Sequence, residues 1–221
     1  MLYLVATPIG NIKDISYRAI ETLKESDLVL AEDTRRSGQL LNHYNIKKKI
    51  ISYNDFNKEK KTKDILISLK KGYIISLVSD SGTPGISDPG FYLVRECIKH
   101  DIKVSPIPGA NSVISALVCS GLATDRFIFY GFLPKKKSQK TNIFQKIKQK
   151  KETCIFFESP HRIKKTISIL SETLPEKKII IARELTKKFE EFIRGSPEEI
   201  DKILEKRKIK GEIVLLIGRK V

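Results

Sequence analysis

The sequence predicts an α/β protein of two domains. In the first half, short apolar runs typical of buried strands alternate with segments whose apolar residues recur at helical spacing, which favours a mostly parallel sheet covered by helices. The pattern resets near Gly121–Arg126, after which some strands follow one another without intervening helices. A length of 221 residues allows one large domain or two domains of common size. We expect an N-terminal α/β domain over 1–120 and a C-terminal α/β domain with a mixed sheet over 121–221.

Composition and charge narrow the class of protein. Hydrophobic residues make up 40% of the chain, which is enough for packed cores. The net charge of +16 favours a polyanionic partner, nucleic acid or an anionic membrane surface, although the abundance of Lys beside Ile also fits a coding bias toward A/T-rich codons. The cysteines are isolated and the N-terminus has no signal-peptide pattern. Since no apolar run approaches the length of a membrane span, we expect a cytoplasmic protein with no membrane partner.

Strands and helices alternate through the first half. Ser16 is placed to cap a helix that runs to Lys24, and Ile65, Leu66 and Leu69 form the inward face of a later helix. The predicted strands cover 2–6, 27–31, 50–52, 73–78 and 103–105, and the other predicted helices cover 37–44, a segment that ends at 100, and 111–119.

The second half contains a Lys-rich segment, Lys135–Lys151, which carries eight Lys and no acid around an apolar stripe. Gly195-Ser196-Pro197 is placed to start a helix that ends near Lys206. The predicted strands cover 127–131, 154–157, 178–183, 189–194 and 212–218, and a further helix ends near 173.

One loop, Ser76–Gly90, concentrates residues with special backbone properties. It follows a predicted parallel strand, and open α/β sheets bind ligands at the carboxyl ends of their strands. The alternative is a long turn that only joins a strand to a helix. Three Gly let the chain approach a ligand closely, two Pro stiffen the path and an Asp stands near each end: Gly82, Gly85, Gly90, Pro84, Pro89, Asp80 and Asp88.

A second polar loop, Glu32–Arg36, also follows a predicted strand. Asp33 beside Arg35 and Arg36 fits phosphate recognition next to a general base, and the alternative is a helix N-cap with solvated arginines. Signatures of dinucleotide folds, P-loops, serine nucleophile elbows and metal sites are missing from the sequence. Hydride transfer, acyl transfer and metal-assisted hydrolysis are therefore disfavoured.

Eight segments in order carry a resemblance to a known family: Thr7–Asn11, Ala31–Arg35, Val78–Pro84, Asp88–Gly90, Pro106–Gly109, Gly131–Pro134, Phe157–Arg162 and Ala182–Thr186. The chain resembles the bacterial 16S ribosomal RNA 2′-O-ribose methyltransferases of the tetrapyrrole methylase (class III) superfamily, which use S-adenosylmethionine (SAM). The resemblance spans nearly the whole chain. Ser81 stands where the family usually has Ala, and Ala110 stands where Pro is common.

The resemblance implies two α/β domains of the tetrapyrrole methylase type with SAM in the interdomain cleft, usually as a homodimer. The implied reaction is methylation of the ribose 2′-hydroxyl of a cytidine in the decoding region of 16S rRNA, within the small ribosomal subunit. Carried over position by position, the residues around SAM are Pro8, Asp80, Gly82, Thr83, Asp88, Pro89, Asn111, Ser112, Leu133, Phe157 and Ala182.

The expected chemistry needs positioning and the removal of one proton, with no metal, because a methyl group on a sulfonium is already activated. Asp33 is the first candidate for the base and Glu158 the second. Arg35 and Arg162 would hold RNA phosphates, and Lys135–Lys151 would form an outer electrostatic rail. The alternative for the Lys segment is a solvated amphipathic helix.

Two other functions stay open on the sequence. A SAM-dependent tetrapyrrole (precorrin-type) methyltransferase would share the superfamily, but the charge of +16 and the Glu32–Arg36 loop suit a polyanion better than a small ring system. A non-catalytic RNA-binding protein would explain the charge but not the loops built from Pro and Gly. SAM binding separates this last alternative from the other two.

Overall fold

The structure is a computed structural model of the chain and describes residues 1–219. These residues form two compact units, Met1–Asn111 and the described residues from Ser112 onward. The break falls before the boundary at 120/121 expected from the sequence. The reason is that the helix α5 (Ser112–Val118) packs against the last strand of the second unit.

Unit 1 is built on a parallel sheet of five strands. The strands are β1 (Leu2–Val5), β2 (Leu28–Ala31), β3 (Ile50–Ser52), β4 (Ile75–Val78) and β5 (Val104–Ile107), in the order β3-β2-β4-β1-β5. Every neighbouring pair is parallel, as predicted. The helices are α1 (Tyr17–Glu25), α2 (Thr34–His43), α3 (Lys58–Lys70) and α4 (Gly90–Lys99), with a short 3₁₀ turn at Ile12–Asp14.

The sheet of unit 1 has an apolar core on each face. Leu30 and Leu77 belong to one buried cluster, whereas Val29 and Val78 belong to the other. Successive residues of a strand point to opposite faces, so β2 and β4 supply both cores at once. This explains why these strands appear in the sequence as continuous apolar runs rather than alternating ones.

Side-chain caps fix where the first helices begin. The Ser16 side chain accepts a hydrogen bond from the backbone N–H of Ala19, which confirms the predicted cap of α1. Asp33 caps α2, so this helix starts at Thr34, earlier than the predicted start at 37. α3 also starts earlier than its apolar residues indicated, at Lys58, because its exposed face accommodates charged residues.

Unit 2 is built on a mixed sheet of five strands, as predicted. The strands are β6 (Phe127–Phe132), β7 (Thr153–Glu158), β8 (Lys178–Arg183), β9 (Glu191–Gly195) and β10 (Ile213–Gly218), in the order β6-β7-β10-β8-β9. β6 and β7 are parallel, whereas β10 is antiparallel to both of its neighbours and β9 is antiparallel to β8.

Besides α5, the helices of unit 2 are α6 (Lys137–Ile147), α7 (Ile163–Thr173) and α8 (Pro197–Lys206). Ser196 and Glu199 form a reciprocal capping box at the start of α8, with Pro197 in its first turn, which confirms the predicted start. Phe144 from α6 and Phe156 from β7 are fully buried in the main core of this unit. In the part of the chain that the structure describes, no helix is long and apolar enough to cross a membrane.

Gly90 is a position where a side chain has no room. A Cβ there would lie 2.9 Å from the backbone nitrogen of Gly85 and 3.2 Å from Oδ1 of Asp88. We expect Gly90→Ala to lower the free energy of unfolding by about 1–3 kcal/mol, since a rigid backbone atom cannot move aside cheaply. Urea unfolding followed by circular dichroism measures the change.

The matched control is Gly38→Ala within α2. Its Cβ would meet only Ile50 Cδ1 at 3.8 Å. Helix propensity then determines the effect, and the free energy of unfolding should rise by up to about 1 kcal/mol. Equal stability of the two variants would contradict the close packing at Gly90.

Candidate functional site

The strands of unit 1 bring their carboxyl ends to one edge of the sheet. The register pairs Val78 with Ala31 and Ala31 with Ser52, and the last residues of β1 and β5 continue the row. The chain leaves β2 toward β3 and leaves β4 toward β5, which is the opposite direction along the sheet. Such a divergence opens a crevice where α/β sheets bind ligands. The loops 32–33 and 79–89 follow the two strands that flank it.

Asp80 joins the loops on the two sides of this crevice. Its Oδ1 accepts a hydrogen bond from the backbone N–H of Asp33 at 2.9 Å. Its Oδ2 lies 3.8 Å from Nη1 of Arg36. Asp80 therefore fixes the start of α2 against the end of β4.

The loop after β1 is fastened to the loop after β4. Thr7 and Gly82 exchange two backbone hydrogen bonds, of 2.8 Å and 3.0 Å, and the Thr7 hydroxyl donates to the carbonyl of Ser79 at 3.1 Å. Gly82 is buried and has a φ of 82°, in the left-handed region that favours glycine. Pro8 is half-buried and directly follows this bridge.

The same loop is also tied to the segment after β5. Nδ2 of Asn111 donates to the Thr83 hydroxyl at 3.2 Å, and this hydroxyl donates to the carbonyl of Ala110 at 3.4 Å. The structure thus brings Thr83 and Asn111 together, two residues predicted around SAM. Ser112 is the first residue of α5 and is described with unit 2.

Asp88 closes the far end of the loop on itself. Its Oδ1 accepts the backbone N–H groups of Gly85 at 2.5 Å and of Gly90 at 3.1 Å. Burial raises the pKa of Asp88, and the two N–H donors partly oppose this shift. Pro89 is buried next to it, so this end of the loop is held from within.

The Asp33 carboxylate is engaged by Arg35. Its Oδ1 accepts the Arg35 backbone N–H at 2.8 Å and Nε at 3.2 Å, and its Oδ2 lies 2.9 Å from Nη2. Hydrogen bonds from the Arg35 side chain lower the pKa of Asp33 to about 2. A carboxylate with so low a pKa is a weak proton acceptor at neutral pH. The geometry of Asp33 is that of the helix N-cap considered as its alternative, and its role as the base stays a prediction.

Glu32 is a carboxylate that the sequence reasoning missed. The residue is exposed, yet partial desolvation is the first cause that raises its pKa, and the nearby Arg36 guanidinium opposes the shift. Three negative charges raise it further, those of Asp80, Asp88 and Asp55. A raised pKa makes a carboxylate a better proton acceptor near neutral pH. The sequence shows two adjacent acids after a strand, and only the structure shows that Asp33 is the one paired with arginine.

In unit 2 the predicted site residues also gather at one edge of the sheet. β10 begins where β7 and β8 end, because Ile213 pairs with Glu158 on one side and with the last residue of β8 on the other. The backbone N–H of Leu133 donates to the carbonyl of Phe157 at 3.1 Å, which joins the ends of β6 and β7. Leu133 and Ala182 are buried, and Phe157 is half-buried.

Glu158 is the centre of a buried charge network. Its Oε1 accepts the N–H of Ser159 at 2.7 Å and lies 2.6 Å from Nη2 of Arg162. Its Oε2 lies 2.6 Å from Nζ of Lys140 and accepts the hydroxyl of Thr166 at 2.7 Å. Lys140 and Thr166 also contact each other. Four donors occupy a carboxylate whose side chain is 0% exposed, so Glu158 is built to hold structure together, and its role as a base stays a prediction.

Arg162 connects this network to the loop after β6. Its Nη1 donates to the carbonyl of Leu133 at 3.1 Å while Nη2 pairs with Glu158. A guanidinium has five N–H donors, so a phosphate would have to use those that remain. The position predicted to hold RNA therefore also fixes two loops against each other.

The Lys-rich segment needs one correction. Lys140 is only 3% exposed and neutralises Glu158 inside unit 2, so it cannot belong to an outer rail. Its spacing before Phe144 and Ile147, four and seven positions, places it on the apolar face of α6. That spacing was the signal available in the sequence. The other seven of the eight lysines are exposed.

The architecture and the motifs agree with a comparison against known families. The family model of the tetrapyrrole (corrin/porphyrin) methylases matches residues 1–201. The chain belongs to this family, which confirms the family and the fold expected from its eight segments.

Two relatives within the family are similar in sequence over nearly the whole chain. The ribosomal RNA small subunit methyltransferase I of Halalkalibacterium halodurans is 49% identical over 100% of this chain and 77% of that protein. The protein of the same name from Thermotoga maritima is 44% identical over 99% of this chain and 98% of that protein.

Solved structures show the same fold at low identity. Diphthine synthase superimposes with a TM-score of 0.77 at 16% identity, over 98% of this chain and 89% of that one. A cobalt precorrin-4 methyltransferase superimposes with a TM-score of 0.72 at 17% identity, over 98% and 94%. At these low sequence identities, the structural similarity supports only a shared fold.

Lys140→Met would leave the buried Glu158 with one cation fewer. We expect the free energy of unfolding to fall by about 3–5 kcal/mol, as for other buried pairs that lose one partner. The measurement is a urea titration followed by circular dichroism and fluorescence of the tyrosines.

Lys137→Met on the same helix is the matched control. Its Nζ lies 3.1 Å from Glu172 in a pair whose side chains are 67% and 57% exposed. Exposed pairs contribute about 0–1 kcal/mol, so this variant should be nearly as stable as the unchanged protein. A small effect of both substitutions would show that Glu158 does not depend on Lys140.

Proposed function

We propose that this protein is a SAM-dependent methyltransferase that acts on the small-subunit ribosomal RNA. The observation that carries the proposal is the name shared by relatives that are 44–49% identical over 98–100% of the chain, ribosomal RNA small subunit methyltransferase I. The net charge of +16 suits an RNA substrate. The finer assignment, to the 2′-oxygen of a cytidine in the decoding region of 16S rRNA, rests on the resemblance carried by the eight segments.

The edge of unit 1 fits SAM in its charge. SAM carries a positive sulfonium, and the carboxylates of Glu32, Asp80 and Asp88 give this edge negative charge. Desolvation raises the pKa of Glu32 most, and the charges of Asp80 and Asp88 raise it further. Backbone at Gly82 and apolar surface at Pro8 lie beside these acids. We assign the cofactor in unit 1 to Pro8, Asp80, Gly82, Thr83, Asp88, Pro89 and Asn111. The resemblance adds four residues to this assignment: Ser112, Leu133, Phe157 and Ala182.

The chain has two tasks in this reaction. When bound, SAM supplies a methyl group already activated for attack by an oxygen. The protein orients the ribose 2′-oxygen and accepts its proton. Asp33 and Glu158, the two bases expected from the sequence, are occupied by cationic partners. Glu32 has the raised pKa that suits the task, so we add it to the candidates.

RNA contacts would use the exposed cations. The Arg35 side chain is 88% exposed, so its guanidinium keeps donors for a phosphate while it pairs with Asp33. Arg162 is less accessible, since its side chain is only 25% exposed while it holds Glu158 and Leu133. The exposed lysines of Lys135–Lys151, without Lys140, are available to an electrostatic rail. The homodimer and the cytoplasmic location are part of the proposal through the resemblance.

Titration calorimetry with SAM, followed by transfer of a labelled methyl group to isolated small ribosomal subunits, tests the function. We expect SAM to bind and the label to appear in 16S rRNA, in a nucleotide linkage that resists alkali because its 2′-oxygen is blocked. Label only in a porphyrin precursor would favour the tetrapyrrole reaction. Absence of SAM binding would overturn the proposal that the protein is a SAM-dependent enzyme.

The pH dependence of kcat/KM distinguishes the candidate bases. A base must be deprotonated to act, so kcat/KM falls as the pH drops through the pKa of the base. A fall centred above the ordinary pKa range of glutamate, here called the acidic limb, indicates Glu32. With a pKa of about 2, Asp33 would give no such limb in the range where the protein is folded. We expect Glu32→Gln to lower kcat by about 10²–10⁴-fold and to remove the limb.

Asp33→Asn is the matched control, because Asn also caps helices and preserves the start of α2. It should reduce kcat less than Glu32→Gln and keep the acidic limb. The opposite order would return the role of base to Asp33.

A further inference from the structure

Unit 2 contains a pocket that none of the motifs explains. It has a volume of 260 Å³ and lies between the first turn of α7 and the end of α8 with the segment that follows. Its floor is apolar and consists of Ile163, Leu204 and Ile209, all buried. We call it the basic pocket for its rim, which carries Lys164, Arg207 and Lys208 with the single acid Glu205.

The rim has positive charge to spare. Within residues 1–219, no ion-pair partner is found for Lys164 or Lys208, and both side chains are exposed. Arg207 is held in place by Glu191, whose Oε1 lies 2.6 Å from its Nη2. A guanidinium fixed by one carboxylate still has donors for an anion. The two lysines that are unpaired in the described part of the chain leave the rim with excess positive charge, which favours an anionic ligand.

The basic pocket lies at the same edge of the sheet as the predicted site residues of unit 2. α7 follows Arg162 directly, and the segment after α8 leads into β10, whose first residue pairs with Glu158. The first turn of α7 contributes to the lining, so the positive end of the helix dipole adds to the charge of the side chains.

Size and surroundings indicate which anion fits. Sites for drug-sized molecules measure about 300–1,000 Å³, so this pocket suits one phosphate with its sugar rather than a whole cofactor. The rim continues into further exposed cations, Lys206 and Lys210 on one side and Lys165 on the other. A free phosphate would need no such continuation, whereas a polymer of phosphates would follow it.

We propose that the basic pocket binds a backbone phosphate of the RNA substrate, with the adjoining ribose against the apolar floor. The proposal rests on the proposed function, since it names a contact of the same RNA away from the reacting nucleotide. Lys164 and Lys208 make the ionic contacts, and Arg207 adds a directed hydrogen bond.

The test compares two double variants. Lys164→Ala/Lys208→Ala removes two cations from the basic pocket. Lys24→Ala/Lys70→Ala removes the same charge from the ends of α1 and α3, at the edge of the unit 1 sheet opposite the ligand loops. Fluorescence anisotropy with a labelled RNA oligonucleotide of the 16S decoding sequence gives Kd from 50 to 200 mM salt, and calorimetry gives the affinity for SAM.

We expect the pocket variant to bind this RNA about tenfold more weakly and to lose about one unit of salt slope per lysine. Its SAM affinity should match that of the unchanged protein, and its methyl transfer should show a raised KM for small subunits with little change in kcat. The Lys24/Lys70 variant should keep the original slope. Equal slopes for both variants would overturn the proposal.

Two further results distinguish the proposal from its alternatives. The first is a titration of inorganic phosphate into the protein. If the pocket were a site for a free anion, only the pocket variant would lose the heat of phosphate binding, and the salt dependence of its RNA affinity would be unchanged. This result would overturn the RNA contact. If the unchanged protein transferred no methyl group while the pocket variant still lost RNA affinity, the proposed function would fail and the pocket assignment would stand as an RNA contact.

Discussion

The register of the strands determines where chemistry can occur in each unit. In unit 1 the parallel pairing of β2 with β4 places the loops after Ala31 and Val78 side by side, and the rest of the edge is built on that alignment. A shift of register by one residue would exchange the residues that pack into the two cores and separate Asp80 from the backbone of Asp33. In unit 2 the pairing of Ile213 with Glu158 has the same consequence for three strand ends.

Several charged residues at these edges serve the architecture. Asp80 joins two loops, Asp33 caps a helix, and Glu158 accepts four donors inside unit 2. A carboxylate paired with cations, as in Asp33 and Glu158, holds its neighbours in place but has little capacity left to accept a proton. This division leaves Glu32 and the exposed cations, such as Arg35, as the groups suited to direct contact with a substrate.

Much of this could be predicted from the sequence because it depends on local pattern. The strands at 50–52 and 178–183 have the predicted bounds, and Ser16 and Ser196 cap the predicted helices. The misses depend on contacts between distant residues. Nothing near Lys140 shows that it pairs with a carboxylate of the next strand. The contact of Asp33 with Arg35 is local instead, but the sequence does not decide whether the guanidinium folds back onto the carboxylate or stays in solvent. The break at 111/112 depends on the packing of α5 against β10.

The central claim is that the loops at the carboxyl edge of unit 1 bind SAM. Amide hydrogen exchange, followed by mass spectrometry with and without saturating SAM, locates the binding directly. The account predicts slower exchange in peptides that cover 79–90 and 107–111, with little change at the opposite edge of the sheet near Lys24 and Lys70. Unchanged exchange in both loop peptides, under conditions where calorimetry shows that SAM is bound, would contradict it.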